Sequence, residues 1–215
     1  RAELAGVAED ARSLGVYVQD HVSGARWFGS AGARIDDHTE FGSETTGRIA
    51  GGVRMGGGRT ILRGSVGSGY KAPSLTELSA SAFAGNPDLD AETTVGADLG
   101  IDQRFADGLA GVQATLFGSR IDELIVAVFD PASGLFQNVN VDEAESYGLE
   151  LGVDVDPRGP LTVRAGYTWN ETEARGTPQA FGLTAGDPLL RRPEHRGGVE
   201  LGVELPGDRG HAWIG

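Results

Sequence analysis

Four small constellations in this chain have residue types that could do chemistry. The run Gly64-Ser65-Val66-Gly67-Ser68-Gly69 offers glycines and hydroxyls of the kind that cradle phosphates or present a nucleophilic serine. Either task needs a strand–turn–helix context, so that backbone N–H groups converge at a helix start. Here apolar and polar residues alternate through the run, so its glycines read as a thinning of a sheet. Four histidines, His21, His38, His195 and His211, carry a donor that zinc prefers, yet they are scattered without ligand spacing. Asp36, Asp37 and Glu40 offer hard oxygens to Ca²⁺, but they lack the EF-hand pattern and read as a solvated acidic loop. Glu150 and Asp154 could pair as general acid and base; on an alternating strand they read instead as wall-lining carboxylates. No catalytic residue, metal site or cofactor is expected, and the chain does not read as an enzyme.

The elements that would position these residues are strands. Tyr147, Leu149, Leu151, Val153 and Val155 alternate with Gly148, Glu150, Gly152 and Asp154. Leu161, Val163, Ala165, Tyr167 and Trp169 alternate with Thr162, Arg164, Gly166, Thr168 and Asn170. Val199, Leu201, Val203 and Leu205 alternate with Glu200, Gly202 and Glu204, and weaker versions run through 14–22, 27–36, 45–54, 60–70 and 95–102. Next, Val112, Ala114 and Leu116 are interrupted by Phe117, which suggests a bulge there. Period two predicts antiparallel strands with one apolar and one polar face. The segments are about ten residues long, which suits strands tilted across a hydrocarbon core.

Short turns are expected near 23–26, 56–58, 106–108, 156–160 and 206–209, and long polar connections at 37–44, 71–92, 121–138 and 171–196. Short and long connections therefore alternate. A soluble sandwich has no reason to collect its long loops at one end, whereas an outer-membrane barrel has short periplasmic turns and long external loops. Trp27, Tyr70, Trp169 and Trp213 fall near strand ends, where interfacial girdles place aromatics. The polar face carries Arg48, Arg63, Asp98, Glu150, Asp154, Arg164 and Glu200, expected to line a hydrated lumen.

Composition agrees. Thirty-five glycines in 215 residues suit twisted sheets, and cysteine is absent. The net charge of −13 argues against a nucleic-acid partner, which needs clustered Lys and Arg. No apolar run is long enough for a transmembrane helix, but a barrel wall would not contain one. Residues 1–10 lack the apolar stretch of a signal peptide, and the chain ends within an apparent strand at 211–215. It reads as an internal fragment of a longer protein, one domain over residues 1–215.

Several motifs carry a family resemblance in collinear order. Gly69-Tyr70-Lys71-Ala72-Pro73-Ser74-Leu75-Thr76-Glu77-Leu78, followed by Gly85-Asn86-Pro87-Asp88-Leu89-Asp90-Ala91-Glu92, resembles a signature of TonB-dependent outer-membrane receptors; Ala91 stands where the family usually has Pro. Tyr17-Val18-Gln19-Asp20, the 32–38 segment, Asn138-Val139-Asn140, the 146–150 segment and 188–195 are similar to the same family. Leu189-Leu190-Arg191-Arg192 is closest to the cobalamin-transporter branch.

The resemblance implies about ten strands of an all-β, antiparallel up-and-down meander, part of a transmembrane barrel for which roughly 22 strands is typical. It also implies energised uptake of a scarce, bulky nutrient, cobalamin or an iron–siderophore, through the bacterial outer membrane. The partners implied are membrane lipid, the nutrient, and the TonB energy transducer acting through a plug domain; that plug and the final strands lie outside this sequence. Tyr70, Lys71, Glu77, Asn86, Asp88, Arg191 and Arg192 are the loop and rim candidates for substrate contact. Glu77 and Glu92 could alternatively anchor loop backbone or pair with Lys71, and Pro73 and Pro87 would turn the chain out of the sheet. Two other classes compete. A passive porin-like channel would lack an upstream plug, and a secreted soluble β-sheet binding module would dissolve without detergent.

Overall fold

The computed structural model describes residues 12–39, 41–78, 85–130, 134–156, 160–175, 185–189, 192–204 and 211–215. Ten strands follow one another: β1 (Ser13–Ser23), β2 (Trp27–His38), β3 (Gly42–Met55), β4 (Thr60–Lys71), β5 (Glu92–Phe105), β6 (Ala110–Asp130), β7 (Leu135–Val155), β8 (Leu161–Ala174), β9 (His195–Glu204) and β10 (His211–Ile214). They form a single antiparallel sheet in sequence order, β1 to β10. Among the described residues β1 pairs only with β2, and β10 only with β9, so the sheet is not closed. One helical turn, α1 (Leu75–Leu78), lies between β4 and β5.

Tight turns sit where the glycines allow them. β3 and β4 are joined by Gly56–Gly58, with φ of 72° at Gly57 and 90° at Gly58, a left-handed backbone that side chains rarely adopt. Ala106–Gly108 joins β5 to β6 in the same manner, with Asp107 at φ 54°. The β1–β2 turn falls between Ser23 and Trp27. The turns expected near 156–160 and 206–209 lie largely outside the described residues.

Two expected long connections prove to be strand. Asp37 pairs with Ser43 and Asp36 with Glu44, so 37–44 is a tight reversal. In 121–138 the β6–β7 ladder continues to Asp130↔Leu135, giving two 21-residue strands. Strands elsewhere in the sheet are mostly 10–14 residues, again longer than the alternation suggested. Backbone pairing needs no apolar residues, so it persists past the point where the alternating pattern stops. Phe117 is not at a bulge. It pairs with Gly148 inside an unbroken register and simply lies on the polar face. The interruption comes at Glu123, where φ is 58° and no partner faces it. Beyond it Val141 joins a buried cluster with Ala144, Ala174 and Leu189, although residues three apart on a regular strand face opposite ways.

The register sorts the side chains into two faces. One row across the sheet reads Val53, Leu62, Ile101, Ala114, Leu151, Tyr167 and Gly197; the adjacent row reads Gly52, Arg63, Gly100, Thr115, Glu150, Thr168 and Arg196. The apolar face is uncovered: Ile49 is 64%, Leu99 63% and Leu116 59% exposed. Nothing in a one-layer sheet packs over such a face, and in water it would be an association surface. Glycines on the polar face make room for neighbours lying across the strands. A Cβ at Gly148 would stand 2.7 Å from the Phe117 ring, and one at Gly100 2.8 Å from the Arg63 guanidinium.

Candidate functional site at the strand rim and on the polar face

The rim between β4 and β5 is built from the chain upward. β4 ends at Lys71, and buried Pro73, which has no N–H to offer a ladder, leads the backbone away. Ser74 then caps α1. Its hydroxyl accepts the Glu77 N–H at 3.3 Å, while Glu77 Oε2 accepts the Ser74 N–H at 2.7 Å and hydroxyl at 2.8 Å. This reciprocal capping box forms because Glu stands three residues after Ser. The other Glu77 oxygen lies 3.3 Å from Lys71 Nζ, which also donates to Glu92 Oε1 at 2.9 Å. Glu92 in turn accepts the Ile125 N–H at 3.1 Å. Burial pushes the Glu77 carboxyl up, but the Ser74 N–H and hydroxyl and the Lys71 ammonium outweigh it and hold the carboxyl below its usual range.

The second half of the loop is clasped to the β6–β7 extension. The Asn86 N–H donates to the Glu77 carbonyl at 2.8 Å, and Asn86 Nδ2 donates to the Asn138 carbonyl at 2.9 Å. Asn86 Oδ1 accepts the Asp88 N–H at 3.0 Å, closing an Asx turn. Asn140 Oδ1 accepts the Asp90 N–H at 2.9 Å, and Asn140 Nδ2 donates to the carbonyls of Asp90 at 3.0 Å and Glu123 at 2.7 Å. Leu89 between these ties is buried. Of the rim candidates, Lys71, Glu77, Asn86 and Asp88 are thus brought together, and Tyr70 precedes Lys71 on β4 without a hydrogen bond to them. The Tyr70 hydroxyl is shielded from solvent and has no hydrogen-bond partner among the described residues. Asp88 is exposed, as is Arg192 beside β9, and Arg191 lies outside the described residues.

A smaller clasp holds residues 185–189 at the top of β8. The Gly186 N–H donates to the Ala174 carbonyl, the Ala174 N–H to the Asp187 carbonyl, and the Leu189 N–H to Thr172 Oγ1 at 3.0 Å. The Leu189 side chain enters the cluster of Val141, Ala144 and Ala174. Sequence reasoning gave Asn138, Asn140, Thr172 and Leu189 no role. The Asn-Val-Asn repeat was the available signal, since amides flanking an apolar strand residue are placed to bind backbone.

On the polar face the register aligns all seven charged candidates on one side. Arg63 lies 3.2 Å from Asp102 and 3.9 Å from Asp98, and donates to Thr115 Oγ1 at 2.9 Å. Ser65 links the strands further, accepting from Arg48 at 2.9 Å and donating to Asp98. Asp154 meets Arg104 at 2.5 Å, and Arg164 meets Glu200 at 3.2 Å. These pairs are half-exposed, so each contributes only about 0–1 kcal/mol. Their effect is to fix a hydrated wall of alternating charge. Asp36 and Asp37 do not converge on a cation: as neighbours on β2 they face opposite ways, Asp36 to Arg34 and Asp37 to Ser43. Glu40 lies outside the described residues.

An open antiparallel meander, apolar on one face and ion-paired on the other, with long connections clasped at one end, is the geometry of an outer-membrane barrel wall. The sequence profile described as "TonB dependent receptor-like, beta-barrel" matches residues 5–214. The chain belongs to this family, whose members are receptors and transporters of the bacterial outer membrane rather than enzymes. It is 28% identical over 238 residues to the iron-regulated outer membrane virulence protein of Vibrio cholerae, covering 95% of this chain and 35% of that protein. Its fold is similar to the siderophore receptor PirA from Acinetobacter baumannii, with a TM-score of 0.72 and 19% identity over 92% of this chain and 32% of that one. It is equally similar to the copper transporter OprC, with a TM-score of 0.73 and 16% identity over 91% and 32%. The chain spans about a third of the length of these relatives.

Proposed function

We propose that this chain forms part of the barrel of a receptor for energised uptake of a metal–chelate nutrient, with an iron–siderophore as cargo and TonB as the driving partner. The observation that supports it most is the division of the sheet: an uncovered apolar face suited to lipid, backed by a face of fixed ion pairs suited to a wide hydrated lumen. A barrel of this size class carries a plug, and coupling to TonB runs through that plug. Arg48, Arg63, Asp98, Glu150, Asp154, Arg164 and Glu200 then face the lumen. The clasped rim forms one wall of the external vestibule. Lys71, Glu77 and Asn86 shape it, with the shielded Tyr70 behind them, while Asp88, Arg191 and Arg192 are the contacts offered to substrate. Iron is favoured over cobalamin because relatives carry names tied to iron regulation and siderophores, against a single short motif for cobalamin.

The test uses the full-length receptor in a strain lacking other receptors, with uptake of radiolabelled ferric siderophores and of labelled cobalamin. Expected is iron accumulation that disappears when TonB is deleted. Cobalamin uptake alone would reassign the cargo, and uptake indifferent to TonB would replace the reading with a passive channel.

A further inference from the structure

The backbone ladder parts in the rim half of the sheet, between β3 and β4. β2 and β3 pair up to His38↔Gly42, and β4 and β5 up to Lys71↔Glu92, but the ladder between β3 and β4 ends at Arg48↔Gly67. Gly42–Gly47 and Ser68–Lys71 run on above it, each paired in the register only on its far side. In a continued ladder the Gly47 N–H would donate to the Ser68 carbonyl. It donates instead to Ser68 Oγ, at 3.0 Å. A serine hydroxyl competes with backbone acceptors in this way, and Gly67 and Gly69 on either side of Ser68 let β4 bend away. The next rung would join Thr45 to Tyr70, and the register holds no such pair.

Tyr70 stands at this parting. By alternation with Leu62 and Val66 it belongs to the apolar face, where those two side chains are 41% and 48% exposed. That face is uncovered, so a ring lying on it would hold its hydroxyl in the open. The Tyr70 hydroxyl is shielded, and the carboxylates whose charge reaches it are those of Glu44 and Asp36. Those two are register partners on β3 and β2 and lie on the polar face. The ring therefore turns from the outer face into the gap between β3 and β4, toward the polar side. A buried hydroxyl without a hydrogen-bond partner is unfavourable, so fit of the ring, and not a bond from its hydroxyl, holds it there.

We infer that the barrel wall has a parting line between β3 and β4, and that Tyr70 is the wedge that keeps it closed. Above Arg48–Gly67 the rim then consists of two flaps, β1–β3 on one side and β4–β7 with its clasped loop on the other. Loss of the ring lets the flaps separate and widens the mouth on that side. Tyr70 is on this account a positioning residue and not a contact for cargo. The inference rests on the proposed external vestibule only for the side of the membrane on which the parting opens.

The experiment uses the full-length receptor in detergent, with nitroxide pairs on β3 and β5 at exposed positions of the apolar face. Thr45 and Val95 lie above the end of the ladder, Ile49 and Leu99 below it. Dipolar broadening of the spectrum reports whether two labels stay close. Both pairs should be broadened in the wild type. Tyr70→Ala should abolish the broadening for Thr45–Val95 and leave it for Ile49–Leu99, which also shows that the sheet has folded. Tyr70→Phe should behave as the wild type, because the ring closes the gap and the hydroxyl has no partner to lose. Unchanged broadening at Thr45–Val95 in Tyr70→Ala, equal loss in Tyr70→Phe, or loss at both pairs overturns the inference. Labelling of Thr45→Cys on whole cells by a membrane-impermeant thiol reagent tests the vestibule by itself. Its failure would move the parting to the other side of the membrane and leave the role of Tyr70 standing.

Discussion

Replacing Asn140 by Ala should release the β4–β5 loop while leaving the sheet intact. The side chain makes three hydrogen bonds, to the Asp90 N–H, the Asp90 carbonyl and the Glu123 carbonyl, at 2.9, 3.0 and 2.7 Å. Each contributes about 0.5–1.5 kcal/mol net. Asp90 is exposed, so water can replace part of what is lost and the lower half of that range applies. The clasp should therefore weaken by about 1.5–3 kcal/mol, or roughly 10- to 100-fold in the local opening equilibrium. Amide hydrogen exchange on the full-length receptor reads this directly: the Asp90 amide should exchange faster by that factor, while amides around Leu116 and Leu149 do not change. Asn138→Ala supplies the contrast. Asn86 Nδ2 binds the main-chain carbonyl of Asn138, which survives the substitution, and only the 3.4 Å contact from Asn138 Nδ2 to the Glu77 carbonyl is lost. Its effect should stay below about threefold. Unchanged Asp90 exchange in Asn140→Ala, or equal damage from both substitutions, would refute the clasp.

Three further outcomes follow from the same geometry. Cysteines at Leu151 and Val163 should resist a water-soluble thiol reagent while those at Glu150 and Arg164 react, and Leu151→Arg should cost about 2–4 kcal/mol if the site is near the bilayer midplane; equal labelling of both sets would contradict the face assignment. Gly148→Ala should destabilise by about 1–3 kcal/mol in urea unfolding, because its Cβ meets the Phe117 ring and the Trp169 carbonyl. Gly166→Ala, with nothing within 4 Å, should be close to neutral. The Glu77 carboxyl is held below its ordinary value of 4.5, so its ties stabilise the rim above that pH and are lost as pH falls through the lowered folded value. Proteolysis of the loop should rise only below about pH 4.5 in wild type, and the Glu77→Gln variant should show no such acid step.

The sequence by itself determined the strands and their faces. Period two is a local property, so Tyr147–Val155 could be sorted into lipid-type and lumen-type residues without knowing any partner, and the glycine turns at 56–58 and 106–108 were legible for the same reason. The Ser74–Glu77 capping box is likewise written within four residues. Where the alternation ended, the strands did not: 37–44 and 121–138 read as loops because their side chains lost their pattern, while the backbone ladder continued. The clasp joins Asp90 to Asn140 and Asn86 to Asn138, contacts about 50 residues apart in sequence that depend on how far β6 and β7 rise above their neighbours. Face is decided by one strand's own residues, but neighbours are decided by the alignment of several strands at once, and that alignment exists only in the folded sheet.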